Sequence, residues 1–444
     1  MKELATELSE GKKKIIKWSV YWGIVFILYI AASIIMDNFE MYAFVLIVAA
    51  FIFAVEAAVA YRLKKLTKKK IRYAVFAVVN AFIFAAVGVS GYFVAVNGSN
   101  GNMRIIDSYD YGVFKHTSEY DYDGDTGVYT VRSENDAFKI LQLTDVHICA
   151  GVNTHTTDRR AFDACYNLIK DTQPDLIIVT GDIAYTMIIQ TLSLNNLKPM
   201  RQFCTFMNKV GIPWAMVYGN HDTDEALYGP ADMENMFAQF RAEGAPMLYA
   251  AKKPDISGRY NQYIRVENAD GSLNRVLFLI DSNSYTGGGG ALSLKYDNVH
   301  EDQIAWYSDT VDKLSKDNDG TVRSFVYMHI PFRAFDEAQT ALQNGSPEAK
   351  YLFGTNDEKV CFPETDSGFF DKILEKRSTD AIFVGHDHVN TMGINYKGVD
   401  LVYGKSIDFS AYMRIQNRKP QRGATLVTLD MSGGYVINQI DYNG

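Results

Sequence analysis

Apolar residues follow two different patterns along the chain. Before residue 97 there are three long apolar runs, at residues 18–36, 42–61 and 73–96, each long enough to cross a bilayer core of about 30 Å. Glu56 is the one acidic or basic residue within them. After residue 136 the apolar runs are short and alternate with amphipathic stretches. The first pattern predicts transmembrane helices and the second predicts a folded α/β domain; buried helices of a soluble protein are the alternative for the long runs.

Lysine and arginine are concentrated on one side of these runs. Lys12, Lys13, Lys14 and Lys17 lie shortly before the first run, and the loop RLKKLTKKKIR at 62–72 is strongly basic, whereas DNFE at 37–40 has no cation. Positive residues near transmembrane helices remain in the cytoplasm. We therefore expect residues 1–96 to be a multi-pass anchor in a cell membrane. Its N-terminus would be cytoplasmic and everything after residue 96 extracytoplasmic, with the lipid bilayer as a partner.

The remainder of the chain predicts a linker followed by one large domain. Residues 97–136 are rich in Gly, Asp, Tyr and Ser, which is typical of a linker with lead-in strands. Residues 137–444 alternate between strands and helices. The predicted strands are 138–144, 175–180, 213–218, 275–280, 323–328 and 380–385, and the predicted helices lie near 158–171, 196–210, 231–243, 301–316 and 367–376. This alternation favours an α/β domain with buried, largely parallel strands.

The last part of the chain has a different pattern. The segments TMGINYKGVDLVYG and GATLVTLDMSGGYVINQIDY predict antiparallel strands and turns. A mixed sheet or a second sheet is therefore expected. The four cysteines, at positions 149, 165, 204 and 361, have no CxxC spacing and define neither a zinc ribbon nor a disulfide framework.

The net charge of the chain limits which kinds of partner it can bind. The whole chain has a formal net charge of −8, and the part after residue 96 is more acidic still because the basic clusters lie before it. Such a domain has no broad positive field, so nucleic-acid binding is not expected. Any phosphate group would have to be attracted by something local, such as bound cations. No protein partner is inferred.

Ligand-type side chains follow five of the predicted strands. The motifs are Asp145-Val146-His147, Gly181-Asp182, Gly219-Asn220-His221-Asp222, His329-Ile330-Pro331 and Gly385-His386-Asp387-His388. The carboxyl ends of strands in an open α/β sheet line one site, so these residues can converge. Mixtures of Asp, Asn and His suit divalent transition ions such as Mn, Fe or Zn. They are too many for one tetrahedral ion, so we expect two ions, a recognised device for displacement at phosphorus.

This ordered set resembles the calcineurin-like metallophosphoesterase superfamily over roughly residues 137–430. Within it, GHDHVN (385–390), MHIPF (328–332) and YDNVHEDQIAWY (296–307) are similar to the purple acid phosphatase-like branch. The resemblance implies a two-sheet αββα sandwich with a binuclear metal centre. It implies a first ligand group, Asp145, His147, Asp182 and His388, and a second ligand group, Asp182, Asn220, His329 and His386. Asp182 would bridge the two ions.

The resemblance also assigns roles to residues around the ions. It implies that His221 faces the substrate, where it would stabilise the transition state or protonate the leaving oxygen, and that Asp222 orients its ring. Asp387 would point away and form structural hydrogen bonds. Tyr185 stands where purple enzymes have an iron-binding tyrosine, but their first motif has glycine where this chain has His147. Tyr185 is therefore expected in the pocket wall.

These observations predict a membrane-anchored, di-metal-dependent phosphoesterase that hydrolyses phosphate esters on the outer face of the membrane. One alternative is a phosphodiesterase that acts on nucleotides or on lipid-linked or polymer-linked phosphates. Another is a non-catalytic metal-binding sensor. The complete ligand set together with His221 favours catalysis, because an enzyme that has lost its activity during evolution would be expected to lack one of these residues.

Overall fold

The structure, a computed structural model, describes most of the chain after residue 98. It covers residues 99–442 apart from 116–117, 134, 152–153, 192, 194, 224–227, 287–294 and 413–420. The anchor expected at residues 1–96 lies outside this part. Across the described ranges, no helix combines the length and the apolar character that crossing a bilayer requires. The described residues belong to one compact unit, Asn97–Gly444.

Helices and strands alternate through this unit. The helices of the described ranges are α1 (Ser99–Ser108), α2 (His155–Thr172), α3 (Ile188–Thr191), α4 (Leu197–Val210), α5 (Pro230–Ala242), α6 (Glu301–Asp317), α7 (Arg333–Gln343) and α8 (Phe369–Lys376). The strands are β1 (Ser118–Asp123), β2 (Val128–Ser133), β3 (Ala137–Leu143), β4 (Leu176–Thr180), β5 (Trp214–Val217), β6 (Gln262–Glu267), β7 (Leu273–Leu279), β8 (Ser324–Tyr327), β9 (Ala349–Phe353), β10 (Thr379–Val384), β11 (Gly393–Tyr396), β12 (Val399–Tyr403), β13 (Gly423–Asp430) and β14 (Tyr435–Asp441). A 3₁₀ helix covers Tyr111–Val113.

The strands form two mixed sheets. The five-stranded sheet has the order β14-β13-β3-β4-β5, in which β3, β4 and β5 are parallel. The nine-stranded sheet has the order β1-β2-β6-β7-β8-β10-β12-β11-β9, with β7, β8, β10 and β12 parallel at its centre. All six strands predicted from apolar runs lie in these two parallel sets. The pairs β11–β12 and β13–β14 are antiparallel, as predicted.

Alternating residues of the central strands face two different apolar layers. In β8, Phe325 and Tyr327 lie in a core that is shared with β3, β4, α2 and α4. Val326 between them lies in a second core with Tyr307 of α6 and Ile373 of α8. One sheet face therefore packs on the other sheet and the opposite face packs on helices. This arrangement confirms the αββα sandwich, and it explains why the parallel strands are apolar on both faces.

The described residues between 99 and 133, which were predicted to belong to a linker with lead-in strands (97–136), are built into this unit. Helix α1 packs on α2 and α4, where the buried Asn102 Nδ2 donates to Asp158 Oδ2 (2.9 Å) and to Gln202 Oε1 (3.0 Å). Strand β2 pairs in parallel with β6 and so joins the nine-stranded sheet. The sequence pattern did not reveal α1 because two of its buried positions, Gly101 and Asn102, are not apolar side chains.

Candidate metal centre

The five motifs meet at one edge of the sandwich. Three of them follow β3, β4 and β5 of the five-stranded sheet, and two follow β8 and β10 of the nine-stranded sheet. Backbone hydrogen bonds join neighbouring loops within each sheet. The amide of Asp145 donates to the Gly181 carbonyl (3.1 Å), and the amide of Gly385 donates to the His329 carbonyl (3.0 Å). The convergence expected from the strand ends is therefore present.

The first ligand group forms one buried cluster. Asp145, His147, Asp182 and His388 each offer a ligand atom, and these atoms all lie within 4.8 Å of one another. His147 Nε2 is 3.2 Å from Asp182 Oδ2, and His388 Nε2 is 3.5 Å from Asp145 Oδ1. Ligand atoms this close can surround a single ion at contacts of about 2.0–2.2 Å.

The second ligand group lies beside the first and shares Asp182 with it. His329 Nε2 is 3.3 Å from Asp182 Oδ2, 3.1 Å from Asn220 Oδ1 and 3.3 Å from His386 Nδ1. The structure thus brings all seven predicted ligands together. Asp182 lies between the two groups because the same oxygen, Oδ2, approaches His147 and His329.

Several of these residues have a backbone conformation that is rare outside glycine. The φ angles of Asp145, His147, Asp182 and His386 are 49°, 52°, 53° and 74°. Positive φ is uncommon for residues with a Cβ, and such positions concentrate at functional sites. These four residues follow the ends of β3, β4 and β10, and their positive φ angles turn the chain there. The side chains can therefore point toward the gap between the strand ends.

Two motif glycines are required by close packing at the site. A Cβ on Gly219 would lie 2.1 Å from Asp182 Oδ1, and one on Gly385 would lie 2.0 Å from Thr144 Oγ1. Any larger residue at either position would displace a loop that carries predicted ligands. The glycines of Gly-Asn-His-Asp and Gly-His-x-His are therefore part of the geometry of the site.

The expected role of Asp222 is not what the structure shows. Its carboxylate accepts four backbone N–H groups, from Asp182 (3.1 Å), Ile183 (2.8 Å), Ala184 (2.9 Å) and Gly219 (2.8 Å). In the described chain no hydrogen bond joins this carboxylate to the imidazole of His221. Asp222 instead holds the turn that carries Asp182. Burial, followed by the charge of Asp182, raises the pKa of Asp222 to about 6.

The ring of His221 lies at the edge of the cluster. It is partly exposed, and it packs edge-on against Tyr185 (centroids 5.0 Å apart) and His147 (5.7 Å). Its backbone N–H donates to Asp182 Oδ1 at 2.8 Å. Removal from water lowers the pKa of His221 to about 4, although the charge of Asp182 opposes this shift. The ring is therefore neutral near pH 7.

Two other expectations are confirmed. Tyr185 stacks flat on His147 (4.9 Å, 20°) and its hydroxyl bonds to Gln190, so it forms part of the pocket wall. Asp387 accepts hydrogen bonds from Tyr403 Oη (2.7 Å) and from the Cys361 amide (3.2 Å), which makes it a structural residue. Burial raises the pKa of Asp387 to about 7.

Buried carboxylates and imidazoles stabilise one another's charges in the cluster. Burial alone would raise the pKa of Asp182, but the charges of His329 and His221 and hydrogen bonds from His147 hold it well below its usual range. Burial alone would lower the pKa of His147 and His329, but hydrogen bonds and the charge of nearby carboxylates raise each to about 9. A buried set of anionic oxygens and imidazole nitrogens fits divalent transition ions, which would take the place of the protons on the rings.

Comparison with known proteins agrees with this geometry. The family model described as Calcineurin-like phosphoesterase matches residues 138–390, which include all five motifs. The chain belongs to the calcineurin-like phosphoesterase family.

Two relatives of this calcineurin-like phosphoesterase come from Arabidopsis thaliana. "Probable inactive purple acid phosphatase 14" is 30% identical over 332 residues, which cover 68% of this chain and 77% of the relative. "Probable inactive purple acid phosphatase 29" is 26% identical over 331 residues, covering 68% and 78%. The crystal structure of a dimetal phosphatase from Danio rerio aligns with 69% of this chain and 97% of its own, with a TM-score of 0.45 and 11% identity.

Sequence reasoning missed one residue of the site in this calcineurin-like phosphoesterase. Asp408 is fully buried, and its carboxylate oxygens lie 3.2 Å from His147 Nδ1 and 3.2 Å from His388 Nδ1. It follows β12, which the sequence analysis read only as part of an antiparallel hairpin. Because β12 also pairs in parallel with β10, its carboxyl end reaches the same edge as the five motifs. The sequence feature that could have revealed Asp408 is an aspartate shortly after an apolar strand, in VYGKSIDF.

Proposed function

We propose that this protein hydrolyses phosphate esters at a centre of two divalent metal ions. One observation carries the proposal. Asp182 Oδ2 lies 3.2 Å from His147 Nε2 and 3.3 Å from His329 Nε2, so one carboxylate joins two groups of nitrogen and oxygen ligands. A carboxylate shared by two adjacent ligand groups is the arrangement expected of a bridging ligand in a two-metal hydrolytic site.

The two ligand groups would hold Mn, Fe or Zn. Asp145, His147, Asp182 and His388 would bind one ion, and Asp182, Asn220, His329 and His386 would bind the other. When bound, the ions supply positive charge that lowers the pKa of an attacking water and neutralises phosphate oxygens. Asp222 contributes by keeping the Gly181-Asp182 turn in place through its four backbone hydrogen bonds.

His221 would act on the substrate as a hydrogen-bond donor. Its ring is at the partly exposed edge of the site and is not tied to a carboxylate among the described residues. Its pKa of about 4 leaves a neutral ring near pH 7, which carries one N–H. Such a donor can stabilise the charge that develops on a phosphate oxygen.

The membrane location is proposed on the sequence alone. The three apolar runs before residue 97 and the basic loop at 62–72 support an anchor with the phosphoesterase domain outside the cytoplasm. Substrates would then be phosphate esters that reach the outer face of the membrane. Protease treatment of intact cells would test this, since cleavage of the domain in cells that exclude the protease requires an external location.

A turnover assay on the full-length chain tests the activity. We expect metal-dependent hydrolysis of p-nitrophenyl phosphate or bis-p-nitrophenyl phosphate in the presence of Mn²⁺ or Zn²⁺. A chelator should abolish the activity, and returning the metal should restore it. The ratio of the two rates would distinguish a monoesterase from a diesterase.

The names of the two Arabidopsis relatives make a metal-binding module without turnover the second candidate. Bound metal measured on the same preparation separates the two candidates. Two bound ions with no turnover on either ester would favour the module. Fewer than two ions in a folded, metal-saturated protein would overturn the two-metal centre itself.

A further inference from the structure

A buried carboxylate outside the predicted ligand set contacts two of the predicted ligands at once. Asp408 Oδ1 lies 3.2 Å from Nδ1 of His147, and Asp408 Oδ2 lies 3.2 Å from Nδ1 of His388. The opposite nitrogen of each ring, Nε2, faces a carboxylate of the first ligand group. We infer that Asp408 is a positioning residue that orients both histidines of the first ligand group and sets the affinity for that ion. The inference rests on the proposed two-metal centre.

The hydrogen-bond chemistry of a carboxylate determines which nitrogen each ring presents. An ionised carboxylate only accepts hydrogen bonds, so Nδ1 of His147 and Nδ1 of His388 must each carry a proton. In the neutral ring the lone pair is then on Nε2, which is the nitrogen that faces the cluster. A carboxylate behind a metal-binding imidazole fixes the tautomer and the ring orientation and makes the ring a stronger ligand.

Asp408 is itself held rigidly. Oδ1 accepts the backbone N–H groups of Ser410 (2.8 Å) and Ala411 (2.7 Å), and Oδ2 accepts that of Tyr412 (2.6 Å). The backbone N–H of Asp408 donates to the carbonyl of Asp145 at 2.8 Å. The carboxylate therefore has a fixed position relative to the loop that carries Asp145 and His147. Its two oxygens can hold the imidazole rings of His147 and His388 in a fixed orientation.

The second ligand group has no equivalent support among the described residues. His329 donates its Nδ1 proton to the backbone carbonyl of Thr180 at 2.8 Å, and a carbonyl carries no net charge. His386 turns Nδ1 toward His329 Nε2 at 3.3 Å. Loss of the Asp408 charge should therefore affect one of the two ions selectively.

Replacing Asp408 with asparagine should affect His388 more than His147. The amide oxygen would take the place of Oδ1, which accepts two backbone N–H groups, and the NH₂ group would take the place of Oδ2. The NH₂ group would then face Nδ1 of His388. That ring could satisfy it only by accepting at Nδ1, which places the proton on Nε2, where the ion should bind. Asp408→Asn should thus remove one good ligand from the first group.

The test measures metal binding to the full-length chain. Calorimetric titration with Mn²⁺ or Zn²⁺ should show two binding steps in the wild type. Asp408→Asn should weaken one step about 10- to 100-fold, the scale of an outer carboxylate, and leave the other unchanged. The matched control is Asp175→Asn, a buried aspartate that precedes β4 at the opposite end of the strand and bonds to Ser133 Oγ (3.1 Å) and the Lys139 amide (2.8 Å). It should leave both steps unchanged.

A merely structural role for Asp408 would weaken both steps equally or neither, and either result would overturn the inference. If the variant does not fold, nitrogen NMR of the metal-loaded wild type shows which nitrogen of each ring carries a proton. Protons on Nδ1 of both His147 and His388 are expected, and a proton on Nε2 of either ring would contradict the proposal. Because these measurements do not use turnover, a protein that binds two ions without hydrolysing esters would leave the inference intact and remove only the proposed activity.

Discussion

The two ligand groups of the candidate centre differ in charge and in exposure. The first group contains two carboxylates and two imidazoles that are both backed by the buried Asp408. The second group contains one carboxylate, which it shares, together with an amide and two imidazoles. His386 in the second group is partly exposed, whereas the first group is buried. Negative charge is therefore concentrated at the first group, while the second is the one that a substrate can approach.

Tyrosines support the second group where a carboxylate supports the first. Asn220 Nδ2 donates to Tyr285 Oη at 3.0 Å, and the ring of Tyr296 meets that of His386 edge-on at 4.7 Å. Tyr285 and Tyr296 pair across an isolated bridge that follows β7. This half of the centre is thus held by neutral groups from a loop. The comparison leads us to expect a tightly held first ion and a more weakly held second ion.

The largest effect is expected from the residue that both groups share. Asp182→Asn removes the carboxylate that approaches His147 and His329, so both ions should be lost or greatly weakened. Turnover should fall by about 10⁴-fold or more, the scale for removing one member of a unit that acts together. Metal analysis and kcat on the full-length protein would check this, with Asp175→Asn as the control for a buried aspartate. Loss of one ion alone would show that Asp182 belongs to one group and does not bridge.

The next effect concerns a residue that belongs to neither group. His221→Ala should lower kcat by about 10²- to 10⁴-fold, the usual contribution of a positioned acid–base or donor group. Both ions should remain bound, because the ring of His221 lies beside the cluster and its ordering contact to Asp182 is made by the backbone. Metal content measured on the same sample is the control. Loss of an ion would mean that His221 is a ligand.

Hydrophobic pattern and strand-end chemistry were enough to predict most of this centre. All six apolar runs lie in the two parallel sets of strands, and the carboxyl ends of five of them carry all seven predicted ligands. The helix α7 was missed because two of its three buried residues, Ala334 and Ala338, are alanines, which add little to an apolar pattern in the sequence. Asp408 was missed because local pattern does not reveal that β12 pairs in parallel with β10.

The role of Asp222 could not be read from its neighbours in sequence. Because Asp222 is next to His221, the sequence suggests a hydrogen bond between the two side chains. Adjacent residues in a turn, however, point in different directions. The carboxylate instead fills a niche lined by the amides of Asp182, Ile183, Ala184 and Gly219. Only the folded turn creates that niche. Sequence reasoning therefore found which residues converge, and it failed where the outcome depended on backbone hydrogen bonds.

The pH dependence of metal binding should distinguish the two groups. Hydrogen bonds and nearby carboxylates raise the pKa of His147 to about 9 and hold that of His388 well above its usual value, against the opposing effect of burial. In the second group the pKa of His329 is raised to about 9, but burial lowers that of His386 to about 3. A ring must lose its proton to bind an ion. Near pH 7 the first ion must therefore displace two protons and the second ion one.

Affinity should accordingly rise with pH, because fewer protons remain to be displaced. The slope is about tenfold per pH unit for each displaced proton, so between pH 6 and 8 the affinity should rise about 100-fold per pH unit for the first ion and about tenfold per pH unit for the second. It should flatten above about pH 9, where the rings are already neutral. Titration calorimetry in buffers of different ionisation enthalpy would count the protons released. Equal proton release at both steps would contradict the predicted difference between the two ligand groups.

The smallest effect tests the neutral support of the second group. Tyr285→Phe removes the hydroxyl that accepts the hydrogen bond from Asn220 Nδ2 and leaves the ring in place. Without that partner the amide is held less firmly with Oδ1 toward His329. One hydrogen bond contributes about 1 kcal/mol, so the second ion should bind about fivefold more weakly. The first ion should bind as before. Tyr351→Phe, at an exposed tyrosine of edge strand β9, is the matched control and should change neither step. A loss at the first ion instead would reverse the assignment of Asn220 to the second group.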